Sequence, residues 1–142
     1  MANTDLIEAA RIAAKKYGID PAVVCAVTEQ ESAWNTYAIR YEPAFRERYV
    51  LPLRLSATEE ISRSMSWGLM QLMGQVAREH SFHGEFLSEL CDPALGLDFG
   101  CSVLVSKFSS VGMDVERGLA LWNGGANPNY AREVLARIGT YT

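Results

Sequence analysis

Positive charge is scarce and scattered in this chain. The longest basic stretch is Lys15-Lys16, and 13 Lys and Arg face 17 Asp and Glu, for a net charge of -4. A phosphate backbone is held by clustered Lys and Arg, so nucleic acid is excluded as a partner. Long apolar runs are also missing: no segment reaches the roughly 18–20 residues that span a bilayer, and no stable membrane insertion is expected. The first residues carry neither a basic region nor an apolar one, so no secretory leader is expected, and synthesis in a cytoplasm is. Cysteine is limited to Cys25, Cys91 and Cys101, an odd number without CxxC spacing. With only His80 and His83 as further soft ligands, neither a disulfide framework nor a zinc site is expected, and no metal or cofactor.

What is present suits an ordinary globular domain. The 142 residues are 49% hydrophobic and 21% charged, enough for one core, and a single domain over residues 1–142 is expected, as a monomer. Helix signals dominate. Leu6, Ile7, Ala10 and Ala13-Ala14 recur at helical spacing from about Thr4 to Tyr17, and Gly18 ends the run. Asp20-Pro21 reads as an N-cap followed by proline at the first helical position, opening a helix to about Ala33. Ser56-Ala57-Thr58-Glu59 fits a capping box. A buried helix is expected from Gly68 to about Glu79, another from Pro93 to Phe108, and one capped by Asp114 that carries Leu119 to Trp122. Gly124-Gly125 breaks it, and Asn127-Pro128 is expected to start the last helix, through Tyr130 to Ile138. Period-2 alternation is weak. The fold class expected is all-α, with at most a minor irregular or β insertion near residues 39–55, around Tyr49-Val50-Leu51.

One carboxylate stands out. The helix after Asp20 is apolar nearly all round, with Val23, Val24 and Val27 beside the small Cys25 and Ala26, so it belongs in the core. Glu31 follows Val27 by four positions and Val24 by seven, on the same stripe. Glu29 lies about 200° around the helix and faces elsewhere. Burial and the negative end of the helix dipole both disfavour the Glu31 anion, so its pKa should rise, as a general acid at neutral pH requires. From the helix alone, an ordinary exposed or ion-paired Glu is the other reading.

Four segments in order carry a resemblance. Glu29-Gln30-Glu31-Ser32-Ala33-Trp34-Asn35 resembles the catalytic Glu-Ser segment of soluble lytic transglycosylases, relatives of goose-type lysozyme. Gly68-Leu69-Met70-Gln71-Leu72-Met73 is similar to that family's Gly-Leu-Met-Gln motif. Leu119-Ala120-Leu121-Trp122-Asn123-Gly124-Gly125 resembles its Ala-Tyr-Asn-Ala-Gly segment, and Tyr130-Ala131-Arg132-Glu133-Val134-Leu135 its C-terminal helix. The resemblance implies a lysozyme-like helical domain that cuts the β-1,4 bond between N-acetylmuramic acid and N-acetylglucosamine in peptidoglycan. It implies Glu31 as acid and then base, closing a 1,6-anhydro ring without water. It further implies that Gln71 and Met73 line sugar subsites, that Asn123 holds the groove, and that Tyr130 aims its hydroxyl at Glu31 or at substrate. Ser32 sits in the same motif as a substrate-side residue, although its hydroxyl also suits bracing the helix end.

The chain departs from the family pattern between Asn35 and Gly68, where it is longer than the usual connection. Glu42 in that insertion is a candidate second catalytic carboxylate, able to position water for a hydrolytic lysozyme reaction, or else a salt-bridge partner of Arg40, Arg46 or Arg48. Trp67 has two readings, sugar stacking or core packing. Trp122, where the family has Tyr, is expected to fill the core, as is Met70. Together with the missing leader, the resemblance suggests a bacteriophage lysis or virion enzyme, acting on the wall after release or delivery. A non-catalytic glycan-binding virion component is the rival class.

Overall fold

The structure is a computed structural model that describes residues 3–142. Asn3–Lys16 forms α1, its buried Leu6, Ala10, Ala13 and Ala14 falling on one face as the spacing requires. Gly18, in the left-handed region at φ 69°, reverses the chain. Asp20 then caps α2 (Pro21–Ser32), accepting from the Ala22 N–H at 2.9 Å, with Pro21 supplying a preset φ. Ala22 through Thr28 are all buried, which makes α2 the axis of the molecule. It packs against α1 and α8 (Tyr130–Leu135) and against the 3-10 turn Ile138–Thr140.

A small sheet follows. β1 (Ile39–Tyr41), β2 (Met65–Trp67) and β3 (Leu72–Met73) pair antiparallel in that order, with Ile39 opposite Trp67 and Ser66 opposite Met73. Between β1 and β2 the chain is helical: α3 (Pro43–Phe45) runs into a π-turn over Arg46–Val50, a 3-10 turn over Leu51–Leu53 and then α4 (Ala57–Arg63). Tyr49-Val50-Leu51 is therefore helical, not a strand, and β2 and β3 lie outside the stretch expected to hold β-structure. Pro43 and Pro52 at or next to the first position of their turns explain this: each presets a helical φ and withholds a ladder donor. The capping box at Ser56 does not form either. Ser56 makes no side-chain cap bond, and the Glu59 carboxylate instead binds Arg63 and Arg78, each at 2.7 Å.

The helix expected over Gly68–Glu79 is present only as α5 (Gly74–Glu79). Gly68 sits at φ 71° and Gln71 at φ 50°, so the first half is a turn leading into β3. At Gly68 a Cβ would meet the Leu90 carbonyl oxygen at 2.5 Å, which fixes glycine there by contact as well as by φ. α6 (Pro93–Ser109) and α7 (Val115–Asn123) start as expected, Asp92 and Asp114 accepting from the Leu95 and Arg117 N–H groups at 3.0 and 2.9 Å. α8 starts at Tyr130, later than Asn127-Pro128 suggested, because Asn127 instead forms a local turn in which its side chain accepts from Asn129.

Two apolar clusters result. The larger surrounds α2 and includes Leu97, Leu104, Phe108, Leu119 and Val134. The smaller lies under β3 and α5, around Leu72, Phe82, Leu87 and Val103. Trp122 packs against both, at the seam where the groove opens. No described helix is long and apolar enough to cross a membrane.

Candidate active site

The last turn of α2 delivers Glu31. Ala33, in the left-handed region at φ 49°, ends the helix, and its N–H returns to the Glu29 carbonyl at 2.9 Å. Ser32 donates its hydroxyl to the Thr28 carbonyl at 3.0 Å, as Thr28 does to Val24 at 2.9 Å. Ser32 is thus bound to the helix next to Glu31 and is not among the described residues that line the groove.

Glu31 opens half-buried into a groove of about 680 Å³. β1 and the turns after it contribute Arg40, Glu42, Phe45 and Tyr49; β3 and α5 contribute Met73 and Glu79; α7 contributes Trp122 and Asn123. On the buried side, the Tyr130 hydroxyl donates to Glu31 Oε1 at 2.6 Å. Desolvation raises the Glu31 pKa above the ordinary carboxylate value, outweighing the Tyr130 hydrogen bond, the neighbouring Trp122 indole N–H and the Arg40 charge, which all favour the anion. Trp122 completes no hydrogen bond of good geometry to Glu31, so its help is that of a nearby dipole. Tyr130 is held neutral, its pKa pushed far up by burial and by the Glu31 charge, so it serves as a fixed donor. The carboxyl therefore keeps its proton to higher pH than an ordinary carboxylate while remaining open to the groove.

Glu29 faces away, as the helical period requires. Its carboxylate binds Arg137 and accepts from the Tyr141 hydroxyl at 2.8 Å, while Tyr141 accepts from the Trp34 indole at 3.0 Å. These donors, Tyr141 foremost, lower its pKa. A chain of hydrogen bonds then runs from Arg137 to Gln30, Glu133 and Asn127, and ends where Asn123 donates to the Asn127 carbonyl at 3.2 Å. The groove edge at Asn123 is thereby tied to the back of the helix that carries Glu31.

The remaining sequence candidates separate by position. Gln71 lines the groove, but its amide donates to the Ala38 and Gly68 carbonyls at 2.8 and 2.9 Å and accepts from Ser66 at 2.8 Å, leaving one acceptor lone pair to spare. Met73 is half-buried in the groove wall, and Met70 is core, 1% exposed. Glu42 lines the same groove as Glu31 and is ion-paired to Arg40 at 2.9 Å. Trp67 is a packing residue, its indole N–H donating to the Ser62 carbonyl at 2.9 Å. Trp122 does more than fill the core: it lines the groove beside Glu31.

Residues 8–136 match the family described as the Transglycosylase SLT domain. The chain belongs to this family. Its members are lytic transglycosylases acting on peptidoglycan, which makes the SLT domain described here an enzyme of that type with peptidoglycan glycan as its substrate class. No solved structure matches the chain. Among the described residues, no group of three or more His, Cys, Asp or Glu is placed to hold a metal ion. Arg40, Phe45, Tyr49 and Trp122 are groove residues that the sequence reading missed. For Phe45 and Tyr49 the available signal was an i, i+4 aromatic pair in a segment without core periodicity.

Proposed function

We propose that this SLT domain, the whole chain acting as one unit, cleaves the β-1,4 bond between N-acetylmuramic acid and N-acetylglucosamine without water. Glu31 serves as acid and then as base. The observation that carries the reading is a half-buried, protonatable carboxyl opening into a groove, with a neutral tyrosine donor 2.6 Å behind it.

Glu31 first gives its proton to the oxygen leaving C1 of the muramyl residue, and the C1–O bond breaks. The carboxylate so formed lies beside the positive charge developing at C1, and the Tyr130 donor stabilises it. It then takes the proton from the muramyl C6 hydroxyl as O6 bonds to C1, closing the 1,6-anhydro ring and restoring the acid. A pKa lifted by burial but held in check by Tyr130, Trp122 and Arg40 suits a group that must both give and take a proton. Met73, Asn123 and the free lone pair of Gln71 face the sugars, and Ser32 keeps the helix end in shape.

One observation favours a second reading. Glu42 lines the groove that holds Glu31, and two carboxylates across a glycosidic bond are the usual hydrolase arrangement. Its ion pair with Arg40 weighs toward the transglycosylase, because the guanidinium occupies the carboxylate that would have to orient the water. Glu31→Gln tests both readings against a non-catalytic glycan binder. The variant keeps the shape and loses the proton, so clearing of a cell-wall suspension should fall at least about 100-fold while wall binding persists. Undiminished clearing would remove Glu31 from the mechanism.

A further inference from the structure

The segment between β1 and β2 leaves much apolar surface uncovered. Of the 12 large hydrophobic residues that are exposed among the described residues, seven (Tyr37, Ile39, Tyr41, Tyr49, Leu51, Leu53 and Ile61) fall within residues 37–61, so exposure concentrates beside the groove. Within this stretch the half-buried Phe45 and the exposed Tyr49 are the two aromatic residues that line the groove itself. Their rings lie 4.9 Å apart and tilted by 51°, and neither belongs to the two core clusters. The π-turn over Arg46–Val50 connects them, and π-turns are commonest where a side chain is re-aimed for function. Tyr49 is 48% exposed, and the Arg48 guanidinium stands over its ring at 5.0 Å, which orients it. Two of the neighbouring arginines are ion-paired, Arg40 with Glu42 at 2.9 Å and Arg46 with Glu60 at 2.5 Å, while Arg48 rests on the Tyr49 ring. The groove side of the ledge is therefore aromatic, with its two nearest groove charges, Arg40 and Glu42, bound to each other. It suits a neutral ring with one apolar face and polar edges.

We infer that Phe45 and Tyr49 form a sugar-binding ledge, a further subsite that takes the apolar face of a hexosamine ring on the strand being cut and so sets the length of glycan the enzyme prefers. This rests on the glycan-cleaving reading of the groove. Stacking buries the C–H face of the sugar against ring carbons, and the sugar hydroxyls stay in water. The ledge acts on binding and not on bond breaking: the side-chain hydrogen bond to Glu31 comes from Tyr130 and not from either of these rings.

The test is Phe45→Ala/Tyr49→Ala, with Tyr49→Trp as the variant that keeps an aromatic face. Affinity is read by calorimetry on Glu31→Gln protein with soluble N-acetylglucosamine oligomers of increasing length and with peptide-free glycan strands. KM and kcat are read on the active protein. The double alanine variant should weaken binding of long oligomers by about 5–30-fold, leave the shortest oligomer unaffected, and raise KM with little change in kcat, while Tyr49→Trp restores affinity. Equal affinity of parent and double variant for every length would overturn the ledge and leave the glycan reading standing. A joint fall of kcat and melting temperature with unchanged oligomer affinity would also overturn it, marking the pair as structural. A parent that binds no glycan of any length would overturn the function and the ledge together.

Discussion

The Tyr130 hydroxyl donates to Glu31 Oε1 at 2.6 Å, joining the first turn of α8 to the last turn of α2 across 99 positions of sequence. Tyr130→Phe removes this donor without changing the ring. A hydrogen bond to a charged group contributes roughly 1.5–3 kcal/mol, so kcat should fall about 10–100-fold. Because the bond favours the anion, the Glu31 pKa should rise, and the limb where activity is lost to deprotonation should move to higher pH. A pH–rate profile of the variant reads both effects, and a lower plateau without the shift would mean that Tyr130 only packs.

Arg40 acts on the same carboxyl through its charge. Its charge lowers the Glu31 pKa, so Arg40→Ala should raise it and move the alkaline limb upward, by less than Tyr130→Phe, because Arg40 is exposed and screened. The shift should shrink with added salt in Arg40→Ala set against the parent, and should be insensitive to salt in Tyr130→Phe.

The burial that would suit Glu31 to the proposed acid role has a stability cost. Folding raises this pKa above the ordinary 4.5, so the folded chain holds the proton more tightly than the unfolded one. The stability contributed by the protonated form is full below the unfolded pKa and is lost as pH rises through the folded one. Glu31→Gln carries no charge at any pH. It should therefore melt about 2–4 °C above the parent at neutral to mildly alkaline pH, the gain fading toward pH 4. Calorimetric melting of both proteins across pH measures it, and a gain that grew on acidification would reverse the sign of the account.

Arg137 ties the back of α2 to the C-terminal end through Glu29 and Gln30. Arg137→Ala should destabilise by roughly 1–2 kcal/mol, a moderate figure because the side chain is 41% exposed. The Glu29 pKa is depressed by Tyr141 and Arg137, so this stability is present above the ordinary carboxylate pKa and is lost as pH falls through the depressed one. Denaturant unfolding at pH 7 and in acid should show the difference between parent and variant narrowing in acid.

Much of the helical frame was legible because its starts are local chemistry. Asp20, Asp92 and Asp114 each accept from an N–H two or three residues on, and Pro21 and Pro93 preset the first turn. The errors have tertiary causes. Apolar residues from Leu69 to Met73 look helical at short range, yet Gly68 must pass the Leu90 carbonyl and Gln71 must reach the Ala38 carbonyl, and both take positive φ to do so. Glu59 was available to a capping box until Arg63 and Arg78 offered it full charges. At the site, Glu31, Asn123 and Tyr130 were readable as motif residues. Trp122 was not, because an aromatic at the seam of two cores has the same spacing as one inside a core.

The central claim is that one carboxyl serves as acid and base with no water consumed. Mass spectrometry of peptidoglycan digested by the purified protein in heavy-oxygen water tests it most directly. The account predicts muramyl ends one water lighter than reducing ends, with no heavy oxygen incorporated. Reducing ends carrying the heavy label would contradict it and mark the reaction as hydrolysis.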